Sequence, residues 1–191
     1  MTRATVNVFR IYFLLTLSCG FVFSAEPAPR TKDQALPGRS KTNVVVRIKG
    51  KGKYTMTFPA HPYVDANGAA TILPGEKYII EFDVKDGQPV NPTCVTNRTA
   101  GKDCLILEFK NDGDVAMLIR SSDCSKPLSM KCRYQQVADR NFYTTELCTL
   151  MPTDCSEYYG SADSWGPEVI WMMLYDFKFL DDDIKAPDHN Q

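Results

Sequence analysis

Cysteine is the residue type whose number and spacing first suggest chemistry in this 191-residue chain. Six of its seven cysteines lie between residues 94 and 155. In an exported protein an even set of this kind is typical of disulfides, although sequence alone leaves the connectivity open. Sequential pairing closes three short loops and is the simplest scheme: Cys94 with Cys104, Cys124 with Cys132, and Cys148 with Cys155. The alternative is zinc bound by thiolates, which the absence of any Cys-x-x-Cys pair and the expected oxidising compartment disfavour.

Histidine limits the catalytic options, because the chain contains only His61 and His189. His189 lies in a polar C-terminal tail, so a catalytic triad or a Cys/His pair would depend on His61 alone. The chain has no Gly-x-Ser-x-Gly segment, no P-loop and no dinucleotide-binding fingerprint. The sequence therefore predicts a protein that is not an enzyme and has no cofactor.

Two acidic segments have some of the residues that bind cations. Asp65 and Asn67 precede Gly68 as in the opening of a calcium loop, but the later oxygen ligands are missing, which favours a plain turn. The three acids at 181–183 are more typical of a solvated strand end. We therefore predict no metal site.

Aromatic residues give the best candidate for ligand binding. Tyr158, Tyr159 and Trp165 lie among small polar residues, where their rings could stack on sugars or on a peptide. The same rings could instead cap the end of a β-structure, with Trp165 and Trp171 in the core.

Basic residues are concentrated in one stretch of the chain. Between residues 30 and 53 there are eight basic residues and one acid. Such an arm could adhere to an anionic polymer or lipid, or it could be the lysine-guarded edge of a hairpin. Residues 26–191 carry 20 basic and 23 acidic side chains, a net charge of −3, which argues against nucleic acid as the partner.

The N-terminal residues 1–25 have the layout of a signal peptide. Arg3 and Arg10 precede an apolar run from Ile11 to Phe23, which ends in Ser24 and Ala25. The run is shorter than the roughly 20 residues that span a bilayer, so cleavage is preferred over an uncleaved anchor. Lipidation of Cys19 is a third option, but the residues after it stay apolar. We expect a periplasmic or secreted protein.

The remaining residues divide into a leader, one domain and a tail. Residues 26–42 contain three prolines and almost no large apolar residue, which predicts a flexible leader. From residue 43 to 183 short period-two segments predict strands, of which Lys77 to Lys85 is the clearest, with Tyr78, Ile80, Phe82 and Val84 facing a core. A polar tail follows at 184–191. No amphipathic helix is evident.

Several segments predict further strands and one loop. A hairpin is expected around Gly50 to Gly52, and a second joins Leu105, Leu107 and Phe109 to Val115, Met117 and Ile119. Residues 128–134 continue the alternation of apolar and polar side chains, and residues 141–147 are a weaker strand candidate. Residues 152–167 show no periodicity and predict a long loop. Residues 169–180 predict a strand that is buried on both faces. These elements predict an all-β protein with one antiparallel, immunoglobulin-like, disulfide-stapled sandwich. A small β-barrel is the alternative.

Several stretches resemble an uncharacterised family of secreted bacterial β-sandwich proteins: residues 54–65 (YTMTFPAHPYVD), 72–87 (ILPGEKYIIEFDVKDG), 147–152, Ser164-Trp165 and 176–180. The resemblance implies a bacterial envelope location and no assigned activity, and the cysteines depart from the family pattern.

Two functions follow from these expectations. The first is a non-catalytic protein that binds a protein or a cell-envelope partner, and the second is a carbohydrate-binding module that uses the aromatic loop.

Overall fold

The computed structural model describes residues 38–137, 141–152 and 161–181. Eleven strands and no helix occur in these ranges. The strands are β1 (Thr42–Ile48), β2 (Gly52–Phe58), β3 (Ala70–Ile72), β4 (Lys77–Lys85), β5 (Gln88–Val95), β6 (Cys104–Asn111), β7 (Ala116–Asp123), β8 (Leu128–Gln136), β9 (Phe142–Glu146), β10 (Ser161–Trp165) and β11 (Val169–Phe179).

Two antiparallel sheets supply the main core. Their strand orders are β10-β7-β6-β4-β5 and β3-β11-β8-β9, and neither sheet closes into a barrel. Inward-facing side chains from both sheets form one buried cluster, which includes Ile80, Leu107, Leu118, Met130 and Leu174. The all-β antiparallel fold is thus confirmed and the barrel is not formed, while the immunoglobulin-like strand order stays a prediction.

The first two strands form a separate hairpin with its own small core. Val44, Val46 and Ile48 of β1 alternate with exposed residues and pack against Leu73 and Ile170. The predicted turn is present, with the Lys51 amide donating to the Ile48 carbonyl at 3.0 Å. The strong alternation of β1 therefore buries one face against the domain and leaves the other in water.

Strand β4 has the predicted bounds, but two of its side chains face differently from the prediction. Glu81, which strict alternation along β4 would place on the solvent face, is 1% exposed, and the Thr99 amide from the loop between β5 and β6 donates to its carboxylate. Val84, predicted to be in the core, is 51% exposed at the end of the strand.

The hairpin of β6 and β7 forms, but its second strand turns the opposite face to the core. The sequence pointed to Val115, Met117 and Ile119, which are only half-buried. The buried positions of β7 are instead Ala116, Leu118, Arg120 and Ser122. Two of these four residues are polar, so the alternation of apolar residues in the sequence predicted the wrong face of β7 to be buried.

Two predictions near the C-terminus need correction. The segment 152–167, predicted to be a loop, contains β10, which pairs with β7 from Ser161 opposite Arg120 to Trp165 opposite Ala116. Strand β11 is buried on both faces only at its start, where Val169 belongs to the main core and Ile170 to the small core of the hairpin. Farther along, Met172 and Leu174 face the main core, while Trp171 and Met173 are half-buried.

Candidate functional site

The cysteines do not form the predicted disulfides in the part of the chain that the structure describes. Cys94, Cys104, Cys124, Cys132 and Cys148 are free thiols, and Cys155 lies outside the described residues. The first four are buried and Cys148 is exposed. Because Cys148 is also free, the predicted pairing of Cys148 with Cys155 is not formed either.

Sheet geometry explains why Cys94 does not reach Cys104. Strand β4 lies between their strands, so the two are about 9.6 Å apart in the sheet, beyond the roughly 7 Å between Cα atoms that a disulfide spans. Cys94 lies opposite Ile80 and Cys104 opposite Glu81. Because Ile80 and Glu81 are consecutive, the two thiols also face opposite sides of the sheet.

Cys124 and Cys132 lie at different sheets. The Cys124 thiol lies 3.4 Å from the Cys104 carbonyl at the start of β6 in the five-stranded sheet, whereas Cys132 lies on β8 opposite Leu174 in the four-stranded sheet. Burial raises the pKa of Cys94, Cys124 and Cys132 to about 12, so these thiols are poor nucleophiles and poor metal ligands.

His61 belongs to a saturated hydrogen-bond network. The Arg39 Nη1 lies 3.1 Å from its Nε2, and its Nδ1 lies 2.9 Å from the Pro59 carbonyl. Because a guanidinium only donates, Nε2 accepts and Nδ1 carries the proton. Neither ring nitrogen is left to act as a base, so the geometry does not assemble a nucleophile on His61.

Arg39 is the centre of that network and was not identified from the sequence. It falls in the segment predicted to be a flexible leader, yet it is 5% exposed. Its Nε and Nη2 donate to the two Glu76 carboxylate oxygens at 2.6 and 2.7 Å, Nη1 donates to the Thr71 hydroxyl at 2.9 Å, and the guanidinium lies 4.0 Å from the Tyr63 ring centre. This arginine fastens the start of the domain to β3 and β4.

A second buried arginine, Arg120, ties the strands of one sheet edge together. It is 0% exposed, and its Nη2 and Nε donate to Asp163 of β10 at 2.6 and 3.1 Å. Its Nη1 donates to the Cys148 carbonyl at 3.1 Å. Both buried arginines hold segments of the fold together and are not available to bind a ligand.

The metal candidates do not assemble a site. The described ranges contain no group of three or more His, Cys, Asp or Glu side chains arranged to hold an ion. Asp65 accepts the amides of Asn67 and Ala69 at 2.8 and 2.9 Å, which is the geometry of an Asx turn. Of residues 181–183 the structure describes only Asp181, which lies 3.8 Å from Lys126.

The aromatic loop is only partly described. Tyr158 and Tyr159 lie outside the described residues. Trp165 ends β10 and is half-buried, with its ring 6.0 Å from that of Tyr134 and tilted by 45°. Trp165 therefore packs partly against the sandwich core, and nothing described brings it together with the two tyrosines.

Strand β9 carries two exposed aromatic side chains that sequence reasoning missed. Phe142 is 53% exposed and Tyr143 is 38% exposed, on opposite faces of the same strand. Phe142 contacts Trp171 at 4.9 Å between ring centres, and Tyr143 stacks on Tyr134 at 5.5 Å. The sequence shows two adjacent aromatic residues in a weakly predicted strand, but only the strand order of the sheet shows that this strand lies at an edge.

Comparisons with known proteins found no match: no family model, no curated protein and no solved structure matches the chain. In the described ranges, no helix combines the length and apolar character needed to cross a bilayer.

Proposed function

We propose that this chain is an exported, non-catalytic β-sandwich that binds a protein partner by adding an extended strand of that partner to β9, which is the last strand of its sheet in the described part of the chain. The observation that carries the proposal is β9 itself, a terminal strand of its sheet with two exposed aromatic side chains. Strand addition at an open edge obtains affinity from main-chain hydrogen bonds and specificity from the adjacent side chains.

The other terminal strands of the two sheets are less suited to strand addition. Strand β5 contains Pro89 and Pro92 and a register shift against β4, both of which obstruct pairing. Strand β3 has only three residues. Strand β10 consists of small and acidic residues before Trp165. Strand β9, with the sequence FYTTE, has no proline, lysine or glycine and consists mainly of β-forming residues.

Aromatic contacts hold β9 in place on both of its faces. On the outer face Phe142 lies against Trp171, and on the inner face Tyr143 stacks on Tyr134. Aromatic pairs of this kind contribute about 0.5–1.5 kcal/mol each. The edge is therefore already formed before a partner arrives, which lowers the ordering cost of binding.

The carbohydrate alternative has less support from the same contacts. Sugar rings stack best on flat aromatic faces, whereas the Phe142 and Trp171 rings are inclined by 59° and the Trp165 and Tyr134 rings by 45°. Export rests on the N-terminal residues described above, and a non-catalytic role rests on the engagement of both ring nitrogens of His61.

Affinity capture with crosslinking tests the proposal. The full chain is used to capture partners from the envelope fraction of its own host, alongside two variants that place a charge on β9. Phe142→Lys removes the exposed ring, and Thr144→Glu adds a carboxylate opposite Arg133, where it is compatible with the fold. We expect one dominant protein partner whose recovery falls at least about tenfold with either variant.

The matched control is Val84→Lys, because Val84 is as exposed as Phe142 but lies on β4 of the other sheet. This control should retain the partner fully. Equal recovery with all four proteins would overturn the proposal. Recovery of glycan alone, independent of Phe142 and Thr144, would overturn it in favour of the carbohydrate-binding alternative.

A further inference from the structure

A cleft of about 500 Å³ opens between the tip of the β1–β2 hairpin and the turn that joins β6 to β7. Three basic side chains line it, Arg47, Lys49 and Lys53, together with the acids Asp112 and Asp114. The rest of its wall is Ile48 and the glycines of the two turns. The cleft lies in the basic stretch noted in the sequence and is remote in sequence from the β9 edge.

The acids in the cleft are already engaged. One Asp112 carboxylate oxygen accepts the amides of Asp114 and Val115, each at 2.9 Å, and these bonds lower the pKa of Asp112. The Asp114 carboxylate lies 3.1 Å from Lys49 Nζ. Within the described ranges no acidic side chain pairs with Arg47 or Lys53, and the three basic and two acidic side chains that line the cleft give it a net charge of 3 − 2 = +1.

Arg47 and Lys53 lie directly opposite each other in the register of the hairpin. Like charges at directly opposite positions of an antiparallel pair repel and destabilise the pairing. An anion between the two side chains would relieve that repulsion. The planar fork of an arginine matches two oxygens of an oxyanion, and the lysine adds a mobile point charge.

The walls of the cleft are held at a fixed spacing by the β6–β7 turn. The Lys49 amide donates to the Gly113 carbonyl at 3.0 Å. A Cβ on Gly113 would lie 2.6 Å from the Arg47 carbonyl oxygen, so the turn approaches β1 as closely as a glycine allows. The backbone that carries Arg47 is thus fixed before any ligand binds.

We propose that this cleft binds the phosphate group of a ligand, held by the Arg47 fork and by Lys53. The same chemistry is presented by free inorganic phosphate and by the phosphate headgroups of an anionic lipid surface, and the experiment separates these two sources.

The test is a titration of the ¹⁵N-labelled full chain, followed by amide chemical shifts at constant ionic strength. Inorganic phosphate should shift the amides of residues 47–53 and 112–114 with saturation, whereas chloride should not. Arg47→Ala should weaken the apparent affinity at least about tenfold, and Lys53→Ala should weaken it several-fold. Lys85→Ala, an exposed lysine on β4, is the matched control and should bind as the parent does.

Cosedimentation with vesicles then identifies the source. Phosphatidylglycerol vesicles that retain the parent protein, but not Arg47→Ala, indicate a lipid headgroup. If the vesicles retain neither the parent nor Arg47→Ala while inorganic phosphate shifts the amides with saturation, the ligand is free phosphate. Equal shifts from chloride and phosphate, or unchanged binding by Arg47→Ala, would overturn the proposal. Lys49→Ala is a second variant in case Arg47→Ala does not fold. It removes the cation that pairs with Asp114, so it should also weaken phosphate binding, and unchanged phosphate binding would contradict the proposal.

Discussion

Arg120 of β7 forms an ion pair with Asp163 of β10, in which the fully buried guanidinium donates from Nη2 and Nε to one carboxylate oxygen, Oδ2, at 2.6 and 3.1 Å. The pair joins the terminal strand β10 to its neighbour β7, and the Cys148 carbonyl extends the contact to the segment after β9. A buried charge without its counterion is costly, so the arginine and the aspartate depend on each other.

Removal of the carboxylate should therefore be strongly destabilising. We expect Asp163→Ala to lower the free energy of unfolding by about 3 kcal/mol, because the Arg120 charge stays buried without its carboxylate. The double variant Arg120→Met with Asp163→Leu should lose clearly less, since it removes both charges. Urea denaturation measures all three proteins. An Asp163→Ala protein as stable as the parent would contradict the importance of the pair.

Arg39 provides a second test, because its fork cannot be replaced by an ammonium group. Arg39→Lys keeps the charge but loses the two-point contact with Glu76, and it should cost about 2–3 kcal/mol of unfolding free energy. Arg47→Lys is the matched control, because Arg47 is exposed, and it should change stability by less than about 0.5 kcal/mol. Equal changes in unfolding free energy for the two substitutions would show that Arg39 does not fasten the start of the domain to β3 and β4.

Thiol reactivity tests the cysteine arrangement. Since burial holds the pKa of Cys94, Cys124 and Cys132 near 12, these thiols stay protonated between pH 7 and 9. Under native conditions they should alkylate at least about 100-fold more slowly than the exposed Cys148. All should react in denaturing urea. Mass spectrometry of proteolytic peptides measures the rates, and a crosslinked peptide pair among these three buried cysteines would contradict the assignment.

The close approach of Gly113 to β1 predicts a specific cost for a single methyl group. Gly113 and Gly87 both have positive φ, 95° and 72°, but only Gly113 has backbone within reach of a Cβ. Gly87→Ala should cost about 1 kcal/mol from backbone strain alone. Gly113→Ala should cost about 1–2 kcal/mol more, because the hairpin must move. Thermal unfolding of both variants measures the difference, and equal costs would exclude the close contact.

Much of the fold was predictable because most strands bury apolar side chains at alternate positions. Strands β1, β4 and β8 follow this rule, and the sequence located them. Strand β7 breaks it, since Arg120 occupies an inward position that only its ion pair with Asp163 makes tolerable. Arg39 was assigned to a leader for a related reason, because its partners Thr71 and Glu76 are more than 30 residues away.

The candidate binding surface could not be read from the sequence because edge position is a property of strand order. Phe142 and Tyr143 were visible as aromatics in a weak strand, but nothing local shows that β9 pairs on one side with β8. The cysteine pattern misled for the same reason: sequence distance favoured pairing Cys94 with Cys104, while strand order places β4 between them.

The most direct test of strand addition is hydrogen–deuterium exchange of the β9 amides with and without the captured partner. The account predicts that the amides of residues 142–146 which do not bond to β8 exchange quickly in the free protein and become protected at least about tenfold in the complex. Amides of the terminal strand β5 should not change. Protection that appears elsewhere while β9 exchanges at its free rate would contradict the central claim.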